Sequence, residues 1–130
     1  MIPVGPADGR ERVEGHFPKS ARLLRPAEFK NVFANPVRVS RNGVVVLACR
    51  NDLGHARMGL AVAKRHVRRA HERNRIKRLA RETFRQHPFR ACGMDCVVLT
   101  RAGADQVSSK DLGLALNFAW QRLFDQCAKS

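Results

Sequence analysis

The side chains that could ligate a metal, attack an electrophile or carry a proton are few here, and their spacing suits none of those tasks. Cysteines stand only at Cys49, Cys92, Cys96 and Cys127. Cys92 and Cys96 form C-x-x-x-C, which lacks the paired C-x-x-C or Cys/His spacing of a zinc site. The histidines (His16, His55, His66, His71, His87) complete no such set. Free thiols in a reducing cytoplasm are therefore expected, with no metal site. An autonomous nuclease would need a carboxylate cluster for metal ions or a His/Lys acid–base pair. Acidic residues number only 11, and His66 and His71 lie in a basic tract without a carboxylate constellation. No catalytic residue is expected in the chain itself.

What the sequence holds in excess is cation. Lys and Arg total 25, the formal net charge is +14 and the pI is near 11.3. A compact domain carrying that much like charge repels itself, a cost tolerated when the working partner is a polyanion. An anionic membrane would call for an amphipathic helix with apolar residues to bury, or a long apolar segment. The longest apolar runs, such as Val44 to Cys49, have only the length of a strand. Nucleic acid is the expected partner and a membrane is not.

The charge is concentrated. Ten Lys or Arg fall between Lys64 and Arg85, opposed only by Glu72 and Glu82. An ordinary solvated helix face mixes signs at i, i+4; this one repels itself unless phosphates neutralise it. Eight of the ten are Arg, whose planar guanidinium can grip a phosphate bidentately or stack on a base. Asn74 among them offers a donor and an acceptor to a ribose hydroxyl or a base edge, or is merely an exposed helix residue. A basic helix can also read a DNA major groove. Here it interrupts an α/β pattern without a helix-turn-helix or zipper partner, so structured RNA is expected and DNA is not.

The elements that must position this tract follow from periodicity. A first helix is expected from Pro26 to about Ala34, stopped by Asn35-Pro36, with Phe29, Val32 and Phe33 on one face. Strands are expected at Val37–Arg41, Gly43–Cys49 and Met58–Ala63. The Asn51-Asp52-Leu53-Gly54 turn suggests an antiparallel hairpin between the second and third. A helix from about Ala70 to Gln86 carries the basic tract. With Ile76 at zero and 100° per residue, Ile76, Leu79, Ala80, Thr83 and Phe84 share one side. Asn74, Lys77, Arg78, Arg81 and Arg85 take the other, Arg75 flanks them, and Arg73 falls nearer the apolar edge. A strand follows at Asp95–Thr100, then a helix after Ser108 or Ser109 whose stripe is Leu112, Ala115, Leu116, Ala119, Trp120, Leu123 and Cys127. The expected order is α-β-β-β-α-β-α: one α+β domain over residues 21–130, preceded by a disordered segment 1–20 with no apolar period. That segment lacks the basic-then-apolar form of a signal peptide, so a cytoplasmic location is expected.

The 23-residue frame from Ala63 to Arg85, centred on Arg73-Asn74-Arg75 and continuing Ile76-Lys77-Arg78 and Arg81, resembles the signature of the bacterial ribonuclease P protein family. It follows a strand ending Gly59-Leu60-Ala61-Val62-Ala63. Arg22-Leu23-Leu24 through Phe33, Asp95 to Leu99, and Leu116 to Leu123 with Trp120 also resemble that family, so the likeness covers about residues 20–127. The resemblance implies a sandwich like the ribosomal protein S5 domain 2 fold, with a left-handed β-α-β crossover where general rules favour a right-handed one. It implies a non-catalytic subunit of a ribonucleoprotein endonuclease, whose RNA removes the 5′ leader of precursor tRNA using Mg2+ held mainly by that RNA. Lys64, Arg65, Arg68, Arg69, Arg73, Asn74, Arg75, Lys77, Arg78 and Arg81 would face the RNA subunit. A cleft between the first helix and the sheet would take the single-stranded leader, with Phe29 and Phe33 as its aromatics or, alternatively, as plain core. The sequence has no Tyr, and the aliphatic Val44–Leu47 strand lacks the aromatic often present in the family. The competing reading is a structured-RNA or ribosome-associated binding protein of similar fold with no role in tRNA processing.

Overall fold

A computed structural model describes residues 19–128. Most of the segment expected to be disordered lies outside them. Its last two residues, Lys19 and Ser20, form a short 3-10 turn with Ala21.

Helix α1 spans Pro26–Ala34 and starts on proline, whose missing N–H costs nothing in a first turn. The Glu28 carboxylate accepts from the Leu24 and Arg25 N–H groups at 2.7 and 2.9 Å, closing that end. Strands β1 (Val37–Arg41) and β2 (Val44–Arg50) form a hairpin around Asn42-Gly43. Both turn residues have positive φ, 49° and 84°, the geometry whose twist matches that of the flanking strands. Strand β3 (Arg57–Ala61), helix α2 (Ala70–Gln86), strand β4 (Met94–Thr100) and helix α3 (Ser109–Ala128) complete the chain. The Ser108 hydroxyl accepts from the Asp111 N–H at 3.1 Å, the cap expected there.

The expected element order is present, but the hairpin expected between β2 and β3 is not. The sheet runs β1-β2-β4-β3, so β4 separates those two strands. It pairs antiparallel with β2 and parallel with β3. The reason lies in burial: Met94 to Val98 are all buried, and only a central strand covered on both faces accepts so continuous a run. The β3-α2-β4 crossover supplies the parallel pair.

One sheet face carries α2 and α3. Val44, Val46, Ala48, Met58, Cys96 and Val98 meet Ile76, Ala80 and Phe84 of α2 and Leu112, Leu116, Trp120 and Leu123 of α3. The other face carries α1, through Leu23, Phe29 and Val32 against Leu47, Val97 and Leu99.

Candidate nucleic-acid interface

Helix α2 is fixed by its apolar side. The Phe84 ring meets Trp120 edge-on at 5.4 Å and Phe89 at 6.1 Å. The Trp120 indole N–H donates to Thr83 Oγ1 at 2.9 Å, and the Thr83 hydroxyl donates to the Leu79 carbonyl at 2.8 Å. Thr83 thus holds the buried indole's polar atom, a role that helical period alone does not signal. With this side locked, Asn74, Arg78 and Arg81 stand exposed, and Lys77 and Arg85 partly so. The approach to the helix adds Lys64, Arg65, Arg68 and Arg69, all exposed. Eight expected RNA-facing residues are therefore open to solvent, fully or in part, on α2 and on the stretch that leads into it.

The other two expected residues turn inward. Arg73 donates to the carbonyls of Val67 and Arg68 at 3.0 and 2.6 Å, fastening the loop that enters the helix. Arg75 donates through Nε to Glu72 at 2.7 Å and through its terminal nitrogens to Ser109 Oγ and the Val107 carbonyl at 3.0 and 3.1 Å. It ties α2 to the start of α3. The hydrogen bond from Arg75 and that residue's charge hold the Glu72 carboxyl below its ordinary value. This pairing engages one of the tract's two acidic side chains, and the outer surface becomes more uniformly positive.

On the opposite sheet face, α1 is anchored by a buried carboxylate. Asp95, an acid inside the apolar central strand, receives a bidentate pair from Arg57 at 2.8 and 2.7 Å and a bond from Asn51 Nδ2 at 2.8 Å. The third arm of Arg57 reaches Glu28 at 2.8 Å. The Glu28 carboxyl is held below its ordinary range first by the Arg25 and Leu24 N–H groups and then by Arg57. Sequence reading missed this network; an Asp set between Met94 and Cys96 in a buried strand was its one signal.

The two α1 phenylalanines separate. The Phe29 ring lies over Gly59, close enough that a Cβ there would stand 2.6 Å from two ring carbons. Phe33 is 46% exposed. Helix α1 rests mainly on β2 and β4. Register and alternation put Arg38 and Ser40 of β1, both exposed, on its side of the sheet, paired with Leu47 and Val45 of β2. On the α1 side of the sheet, then, β1 and β2 present a strip with one cation, one hydroxyl and two aliphatic side chains.

The four cysteines are free. Burial pushes the Cys49 and Cys96 thiols up, and burial with a hydrogen bond to Cys127 pushes Cys92 up to about 12. Such thiols are poor nucleophiles at neutral pH. Among the described residues no group of three or more His, Cys, Asp or Glu could hold a metal ion, and no helix is long and apolar enough to cross a membrane.

Comparison with known proteins gives a consistent answer. A protein-family model described as Ribonuclease P matches residues 17–124. The ribonuclease P protein component of Yersinia enterocolitica is 49% identical over 106 residues, covering 82% of this chain and 89% of that protein. That of Proteus mirabilis matches at the same identity and coverage. Among solved structures, the RNase P protein of Staphylococcus aureus superposes with a TM-score of 0.72 at 27% identity, covering 81% of this chain and 96% of that one. The RNase P protein of Thermotoga maritima gives 0.68 at 26%, covering 78% and 96%.

Proposed function

The chain belongs to the ribonuclease P protein family, and from that premise we propose a division of labour between its two surfaces. The chain serves tRNA 5′-end processing as the protein subunit of an endoribonuclease whose RNA subunit carries the chemistry. Its partner is that RNA.

The outer side of α2 and its approach seat the RNA subunit. Lys64, Arg65, Arg68, Arg69, Asn74, Lys77, Arg78 and Arg81 make the contacts, while Arg73 and Arg75 hold the surface that presents them. The strip beside α1 takes the single-stranded 5′ leader of precursor tRNA: Phe33 stacks on a base, Arg38 meets a phosphate, and Phe29 forms the floor. Residues 21–130 are the functional domain, and it works in the cytoplasm. The magnesium ions of the reaction are held by RNA; in support of this, Glu28, Glu72 and Asp95 are engaged with arginine, and among the described residues no His, Cys, Asp or Glu cluster could hold a metal ion. The protein's part is to hold and orient both RNAs by neutralising phosphate where they meet.

The observation carrying this reading is the one-sided helix, with Ile76, Ala80 and Phe84 buried and Asn74, Arg78 and Arg81 exposed. The test is cleavage of a precursor tRNA at near-physiological magnesium with the cognate catalytic RNA, this protein, or both. Cleavage at the mature 5′ end that is far faster with both is the expected result. RNA binding without any effect on cleavage would leave only a generic RNA-binding protein.

A further inference from the structure

Arg41 closes strand β1 at the end of the sheet where the basic approach to α2 begins. Strands β3 and β4 finish together there, with Ala61 opposite Leu99. Thr100 of β4 stands opposite Val44 of β2, which in turn faces Arg41. Hydrogen bonds tie this end together. His66 Nδ1, on the approach, donates to the Thr100 carbonyl at 2.7 Å, and the Arg101 N–H donates to the Gly43 carbonyl at 2.9 Å. Alternation with Val39, which packs on the core beneath α2 and α3, turns Arg41 to that same face of the sheet.

There the Arg41 guanidinium lies over the Phe118 ring of α3, 4.2 Å from its centroid, and Arg122 approaches the same ring at 5.9 Å. Leu114, Phe118 and Arg122 follow at i, i+4 on one flank of α3. Both arginines are exposed, and Leu114 is 60% exposed. The ring holds Arg41 by its face. The guanidinium N–H donors lie in its plane, so stacking leaves them for a phosphate, and a side chain already held loses less freedom on binding. Asp111 and Asp125 stand seven residues either side of Phe118, about 10 Å along the axis, and bound this patch.

We propose that Arg41, Phe118 and Arg122 form a second seat for the RNA subunit, taking one unpaired nucleotide. Its phosphate meets the two arginines, and its base covers Leu114 and the rim of the Phe118 ring, since stacking on an aromatic suits a base outside a duplex. The inference rests on α2 as the first seat of that RNA. The patch shares its sheet face with α2 and its sheet end with the approach, whereas the leader strip lies on the opposite face. A second copy of this chain fits poorly, because each copy carries a charge of +14. The RNA-binding surface thus continues from α2 across the strand ends to β1 and the far flank of α3.

Affinity of the full chain for the cognate RNA subunit, measured without precursor across a salt series, tests this. The variants are Arg41→Gln and Phe118→Leu, beside Arg78→Gln as a control on α2. R41Q is expected to weaken binding about tenfold. It should also flatten the slope of log affinity against log salt by about 0.7 to 0.9, the share of one phosphate. F118L keeps an apolar side chain against β1 but removes the ring; it should weaken binding about fivefold. In the double variant the loss should be smaller than the product of the single losses, since the ring acts partly by holding Arg41. Should F118L fold poorly, Leu114→Glu puts a carboxylate on the exposed rim without removing a core contact, and must weaken binding at least as much as R41Q. Unchanged affinity in R41Q and L114E while R78Q weakens overturns the second seat and leaves the α2 reading standing. No effect from any of these variants overturns both. A loss confined to precursor affinity of the assembled holoenzyme assigns the patch to the precursor and overturns the proposal.

Discussion

Arg75 and Arg78 are three positions apart on one helix, and their side chains face different tasks. The guanidinium of Arg75 is 20% exposed and holds Glu72, Ser109 and the Val107 carbonyl; Arg78 stands in solvent. Removing a charged donor from partly buried partners costs about 2 kcal/mol. Arg75→Ala should therefore lower the unfolding free energy by about that amount, read from denaturant melts, and Arg75→Lys should recover little of it, since an ammonium cannot reproduce the planar geometry. Arg78→Ala should stay within about 0.5 kcal/mol of the parent in stability, yet lose RNA affinity and salt dependence. Equal melting of R75A and the parent would show that the Arg75 contacts carry no stability. The phenylalanines divide likewise. Phe33→Ala should stay folded, because the ring is 46% exposed. It should lose about 1–3 kcal/mol of the affinity gained from a long leader, the value of one stacked base. A large loss of stability, with leader affinity intact, would return Phe33 to the core.

Helix α1 is short, and its position depends on one ionic network and one ring. Glu28 has its carboxyl held below the ordinary 4.5 in the folded state. A group so depressed contributes stability that is fully present above the unfolded value and is lost as pH falls through the folded one. Stability should therefore decline from about pH 4.5 downward, and Glu28→Gln should be weaker at neutral pH but flatter across that acid range. Parallel acid profiles for parent and variant would remove Glu28 from the account. Gly59→Ala is the packing counterpart: its methyl would drive into the Phe29 ring and meet Leu23 Cβ at 3.2 Å. A cost of about 1–3 kcal/mol is expected in denaturant melts. These elements were legible in the sequence to different degrees. α2 and α3 have buried stripes of the expected period, so their limits and faces could be read directly. Asn42-Gly43 carried the stronger hairpin signal, yet the hairpin was expected at Asn51–Gly54; local turn chemistry does not say which strand lies alongside. The place of β4 between β2 and β3 depends on pairings across about 50 residues, and no local period encodes those. The inward turn of Arg73 and Arg75 was half-legible, because the wheel put one near the apolar edge and the other on the flank. Their acceptors, loop carbonyls and Ser109, exist only once the chain has folded.

At the scale of the molecule, a charge of +14 acts twice and with opposite signs. In the isolated chain it is self-repulsion, which added salt screens. In the complex it is attraction to phosphate, whose counterions must be released, so added salt opposes binding. Raising salt from 50 to 200 mM should thus raise the melting temperature of the free protein while lowering its affinity for the RNA subunit. The magnitude follows from the surface. Lys64, Arg65, Arg68, Arg69, Arg78 and Arg81 are exposed on the α2 side. If each meets a phosphate, affinity should fall by about a thousandfold over that range. Calorimetric melts and filter-binding titrations on one preparation would check both arms. A melting temperature that drops with salt would mean that ion pairs such as Arg57–Asp95 outweigh the self-repulsion. A flat binding response would separate the basic helix from phosphate altogether, and with it the reading of this fold as a cationic frame on which two RNAs are brought together.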